Sequence, residues 1–83
     1  MAEFIFSRRF LSDVREWEQQ ASPRDREVLE RVLAAIAGDP ALPGRAPSFY
    51  DPQSPSYLYR SGSLLVHYRV TQEGKVEFLN LFY

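Results

Sequence analysis

The tetrapeptide Ser22-Pro23-Arg24-Asp25 constrains this chain more than any other stretch. Ser22 can cap a helix, Pro23 suits its first position, and Asp25 falls where a capping-box side chain reaches back. A helix must therefore start here, and one arriving from upstream must stop. Upstream, Phe10, Val14, Trp17 and Ala21 recur at steps of three and four, an apolar stripe with Ser7 available as its N-cap. Arg15, Glu16, Glu18 and Gln19 fill the opposite side and face water. Downstream, Val28, Leu29, Val32, Leu33 and Ile36 form a second stripe that ends before Gly38 and Asp39-Pro40. Two helices separated by so short a turn must run antiparallel.

The remaining segments change period. Residues 2–6, AEFIF, read as a first strand with Phe4 and Phe6 on one side. Residues 57–70, YLYRSGSLLVHYRV, read as a β-hairpin turning on Ser61-Gly62. Its second strand directs Leu64, Val66, Tyr68 and Val70 inward and Leu65, His67 and Arg69 to the other face. A second turn at Gln72-Glu73-Gly74-Lys75 leads into a last strand, VEFLNLFY. Residues 39–56 hold five of the six prolines, which predicts an irregular surface loop. The expected fold is α+β, one domain over residues 1–83: a strand, a helical hairpin, then a three-stranded antiparallel meander with the helices packed on one sheet face. A chain of 83 residues leaves no room for a second core.

Charge and composition exclude several classes. The chain has no cysteine, so disulfides and thiolate chemistry are absent, and its single histidine makes a zinc site a poor expectation. No metal or cofactor is expected. A net charge of −1 argues against general nucleic-acid binding, which needs a dense array of cations. The balance is uneven: residues 1–40 hold six arginines against eight carboxylates, and residues 41–83 hold four basic groups against three acidic ones. The N-terminus has neither a long apolar core nor a signal-peptide pattern, so the expected location is the cytoplasm.

Arg60-Ser61-Gly62-Ser63-Leu64-Leu65-Val66-His67-Tyr68, taken with Asp39-Pro40 and the aromatic opening strand, resembles the RelE/ParE superfamily of toxins from bacterial type II toxin–antitoxin pairs. Arg60, Gly62 and Tyr68 match the family's hairpin pattern. The resemblance implies a helical hairpin on one face of a twisted sheet and function on the other, concave face. In the RelE branch that face cleaves ribosome-bound messenger RNA without metal; in the ParE branch the target is DNA gyrase. Both are silenced by an antitoxin that wraps the toxin, so the implied partners are an antitoxin and either target, with a homodimer or a toxin–antitoxin heterotetramer as the assembly. Where RelE-type nucleases carry basic residues, this chain has Leu58 and Leu65, and its sequence stops at Leu81-Phe82-Tyr83.

Two readings of that face follow. Metal-independent RNA cleavage needs a base, a cation at the developing charge and an acid. His67 and Arg69 are the candidates for the first two, Tyr83 or Tyr59 for a proton or a stacking surface, and Arg60 for fixing the hairpin and contacting substrate. Against this, His67 can be a surface histidine in a cross-strand contact, Arg69 can pair with Glu77, Tyr68 is core, and Arg8-Arg9 is a solvated helix start. The second reading is a protein-docking face, in which Leu65, Leu79 and Leu81 form an apolar surface beside Leu58, and Phe49-Tyr50 plug it or receive a partner's helix.

Overall fold

The computed structural model describes residues 3–48 and 55–83. The elements are β1 (Phe4–Phe6), α1 (Arg8–Glu18), α2 (Pro23–Gly38), β2 (Ala46–Ser48), β3 (Ser56–Ser61), β4 (Leu64–Val70) and β5 (Val76–Phe82). They form one five-stranded sheet in the order β1-β5-β4-β3-β2. β3, β4 and β5 make the expected antiparallel meander. The sheet as a whole is mixed, because β1 runs parallel to β5. The proline-rich stretch expected to be irregular contributes a strand of its own, β2, which pairs antiparallel with β3. β2 carries Pro47 and lies at the sheet edge, the place in a sheet where a missing N–H is tolerated.

Both helix starts form as the residue types dictate. Ser7 Oγ accepts from the Phe10 N–H, and Ser22 and Asp25 make the reciprocal capping box with Pro23 at the first helical position. Ser7 also joins α1 to the sheet: its N–H donates to the Phe78 carbonyl and its hydroxyl donates to the Leu79 carbonyl. The core lies between the helices and one sheet face. Phe10 and Trp17 of α1 and Leu29, Val32 and Ile36 of α2 pack there with Leu64, Val66, Tyr68, Val76, Phe78 and Leu81. Phe6 and Phe78 stack at 5.5 Å, as do Phe6 and Phe10 at 5.4 Å, so β1, α1 and β5 share one aromatic cluster.

The hairpin turn is displaced by one residue from its expected place. Ser61 pairs with Leu64, so the two-residue loop is Gly62-Ser63. Gly62 has φ +60°, which places glycine at the first loop position as a type II′ hairpin requires. Val70 also departs from expectation: it lies at the strand end and is exposed, while Leu64, Val66 and Tyr68 are buried.

Tyr68 holds the start of the β2-side loop to the core. Its hydroxyl donates to the Pro40 carbonyl at 2.7 Å, and Arg45 Nη1 donates to the same oxygen. Arg45 also sits 4.0 Å from the centre of the Tyr57 ring. Burial pushes the Tyr68 phenol above its ordinary value of 10.0, with Arg45 pulling partly the other way. The unfolded chain therefore loses this proton before the folded one does, so the contribution is present below about pH 10 and declines as pH rises past it. Tyr68→Phe is expected to cost about 1 kcal/mol near neutral pH through the lost hydrogen bond. The variant should also lose stability less steeply than the wild type above about pH 10, as read by urea unfolding across pH. An unchanged alkaline slope would reject this role.

Candidate functional site

Strand alternation separates the two faces of the sheet, and one irregularity decides what stands on the face turned away from the helices. His67 pairs with Asn80, but the next residue, Tyr68, pairs with Phe78. Leu79 is therefore an extra residue in β5, a β-bulge. The bulge resets the alternation: Val76 and Phe78 point to the core before it and Leu81 after it. Without it, Leu81 would face away and Asn80 inward.

Past the bulge the β5 backbone needs a new partner, because β1 has ended. Asp13 of α1 supplies it, accepting the Leu81 N–H at 3.0 Å through Oδ2. Its other oxygen holds Arg9 at 3.2 Å. This brings Arg9 around the end of the sheet to the rim of a depression of about 450 Å³. Leu58, Leu65 and Phe82 give that depression an apolar wall, and Ser48, His67 and Asn80 add polar groups among the described residues.

His67 is buried, contrary to a surface placement, and both ring nitrogens are engaged. Nδ1 lies 2.9 Å from Asn80 Oδ1, and Nε2 lies 2.8 Å from Ser56 Oγ. An amide oxygen accepts, so Nδ1 donates to Asn80 Oδ1, and Nε2 shares a hydrogen bond with the Ser56 hydroxyl. The arrangement ties β3, β4 and β5 together, joining His67 to the bulge-reset Asn80 and the buried Ser56. Arg69, directly opposite Glu77 across the strands, is ion-paired with it.

The remaining sequence candidates disperse. Leu65 stands where expected, on the wall of the depression. Leu81 does not: it is a core residue, turned inward by the bulge. Leu79 is the unpaired bulge residue, partly buried, and its carbonyl is bound by Ser7. Tyr59 pairs with Val66 and packs on the helix side, near Val28 and Val32 of α2, so it cannot share a site with His67. Arg60 is exposed opposite Leu65. Tyr83 is exposed beyond the end of β5. Phe49 and Tyr50 lie outside the described residues.

Three contributors were not legible in the sequence. Arg9 keeps its expected solvated place at the start of α1, with its side chain 76% exposed, and only the link from Asp13 to Leu81 shows that it also borders the depression. Ser56 and Asn80 read as loop and strand polar residues, and only the register and the bulge bring them to His67. Among the described residues, no group of three or more His, Cys, Asp or Glu side chains is arranged to hold a metal ion, and no helix is long and apolar enough to cross a membrane. The fold and this face define a small α+β domain with two helices on a five-stranded mixed sheet. Comparison with protein-family models, with curated proteins and with solved structures finds no match.

Proposed function

We propose that this chain is the toxin of a type II toxin–antitoxin pair, of the RelE/ParE kind, and that it acts by docking onto a protein rather than by cutting RNA. The hairpin residues Arg60, Gly62 and Tyr68 and the strand, helical hairpin and meander order support the family reading. One observation favours docking over cleavage. On the sheet face away from the helices, His67 is buried between two neutral partners, Arg69 is paired with Glu77 and Arg9 at the rim with Asp13, while Leu58, Leu65 and Phe82 form an apolar wall. A phosphate cradle needs cations aimed at the developing charge, whereas an apolar wall with a polar rim is the usual build of a protein interface. DNA gyrase is the target that the resemblance implies for the non-cutting branch, and an antitoxin is the implied silencing partner.

The test has two parts. Induced alone, the chain should arrest growth, and co-expression of an antitoxin encoded beside it should restore growth. Purified, it should inhibit gyrase-dependent supercoiling and leave ribosome-bound messenger RNA intact. Cleavage of that message, abolished by His67→Ala together with Arg69→Ala, would replace docking with the nuclease reading. Normal growth on induction would count against a toxin altogether.

A further inference from the structure

At the other end of the sheet, β1 presents a strand edge that matches itself. Glu3 accepts from the Val76 N–H at 2.9 Å, and the Ser7 N–H donates to the Phe78 carbonyl at 3.0 Å. In a parallel ladder this directs the backbone groups of Glu3, Ile5 and Ser7 toward β5, and the N–H and C=O of Phe4 and Phe6 outward. Among the described residues no strand lies beyond β1. The edge is short, at three residues, but has no charged residue or proline between Phe4 and Phe6, two of the devices that prevent edge pairing. Its side chains are apolar and exposed on both faces: Phe4 at 48%, Ile5 at 42% and Phe6 at 36%. Beside Phe4 and Phe6, an apolar groove of about 300 Å³ continues over Leu33, Ala34 and Ala37 of α2.

We infer that β1 pairs antiparallel with β1 of a second copy of this chain, extending the sheet across a two-fold axis at Ile5. In that register Phe4 lies opposite the second copy's Phe6, and the outward N–H and C=O groups of both strands bond to one another. Ile5 meets the second copy's Ile5 at the axis, and each copy's Phe4 and Phe6 approach the other's groove. The antiparallel sense also brings Glu3, which already lies 3.6 Å from Lys75 of its own chain, toward Arg8 of the other copy, so no like charges oppose each other at the flanks. Such an interface is isologous and closes at two copies.

The area sets its strength. At roughly 200 Å² per large side chain, the exposed fractions of Phe4, Ile5 and Phe6 leave about 250 Å² of apolar side chain per copy to cover. A standard stable interface covers roughly 800 Å² per partner, so this pairing is weak and reversible. It is independent of the toxin reading, since it uses a different edge of the sheet from the depression around Leu65.

Because the chain has no cysteine, a single Ile5→Cys substitution reads the register directly. Residues at the axis form a non-hydrogen-bonded pair with Cα atoms roughly 4.5 Å apart, inside the range a disulfide spans. Under mild oxidation, Ile5→Cys should cross-link at least about tenfold faster than Leu11→Cys, an equally exposed control on α1. Ile5→Lys and Ile5→Glu should each weaken self-association at least about tenfold in sedimentation equilibrium, and mixing the two should restore it. Circular dichroism checks that the variants fold. Equal cross-linking at the two positions, a wild-type chain that stays monomeric at about 1 mM, or failure of the Lys and Glu variants to restore one another would each overturn the pairing.

Discussion

Replacing Phe78 with alanine should unfold a large share of the protein at physiological temperature. Phe78 is fully buried on β5 and meets Phe6 and Phe10, each with ring centres 5.5 Å away, so its ring joins the first strand, the first helix and the last strand. Truncating a core phenylalanine costs about 3–5 kcal/mol, from lost transfer energy plus the cavity left behind. A domain of 83 residues has in total about 4–12 kcal/mol of stability. The substitution therefore removes between a quarter and all of it. Phe82, four residues along the same strand, is 49% exposed, and Phe82→Ala should cost under about 1 kcal/mol. Urea unfolding of the two variants side by side checks this, and a Phe78→Ala cost below about 1.5 kcal/mol would mean that the aromatic cluster does not anchor the fold.

Under the proposed docking function, Leu65→Glu should abolish growth arrest on induction while leaving the protein folded. Leu65 is only partly buried, on the wall of the depression, opposite exposed Arg60 on one neighbouring strand and Phe82 on the other. A carboxylate there has a cation across the strands, so the fold tolerates it. A protein partner seated on Leu58, Leu65 and Phe82 would instead have to bury that charge. Losing a central apolar anchor of an interface costs about 2–4 kcal/mol, so partner affinity should fall by roughly thirtyfold to a thousandfold. Arg69→Ala should change affinity by less than about threefold, because that guanidinium already pairs with Glu77.

Leu65→Arg separates docking from cleavage. It adds a cation to the face, so it should weaken a docking protein and strengthen a nuclease, which needs positive charge at the phosphate. Growth arrest on graded induction, with circular dichroism to confirm folding, reads both outcomes. Full toxicity in Leu65→Glu with loss in Arg69→Ala would reverse the assignment of the face.

The two helices were legible because their signals are local. The capping box at Ser22 and Asp25 and the stripes of three- and four-residue spacing act within a few residues of themselves and appear in the structure, except that α1 ends at Glu18 and Ala21 packs on the core from the turn that follows. The meander was legible for a similar reason: alternation and turn glycines specify neighbouring strands that follow one another directly. β2 was not, because Ala46-Pro47-Ser48 has no strand character of its own and takes its extended form from pairing with β3. The parallel placement of β1 beside β5 was not either, since no local pattern links Phe4 to Val76 across the whole chain.

The face away from the helices divides along the same line. Alternation along β4 put Leu65, His67 and Arg69 together, and that much follows from two-residue periodicity alone. The bulge at Leu79 then changed which β5 residues join them, sending Leu81 into the core and bringing Asn80 to His67. The extra residue is marked only by the adjacent apolar pair Phe78-Leu79, which breaks the alternation and sets Glu77 and Asn80 three apart, while its pairing is fixed where β5 meets β4 on one side and the Ser7 and Asp13 contacts of α1 on the other. By itself, then, the sequence determined the elements that nucleate locally and the apolar character of Leu58 and Leu65. Only the tertiary structure decided that His67 is buried in hydrogen bonds to Ser56 and Asn80, that Arg69 is paired with Glu77, and that Arg9 borders the depression, because each depends on strand register and on how α1 meets β5.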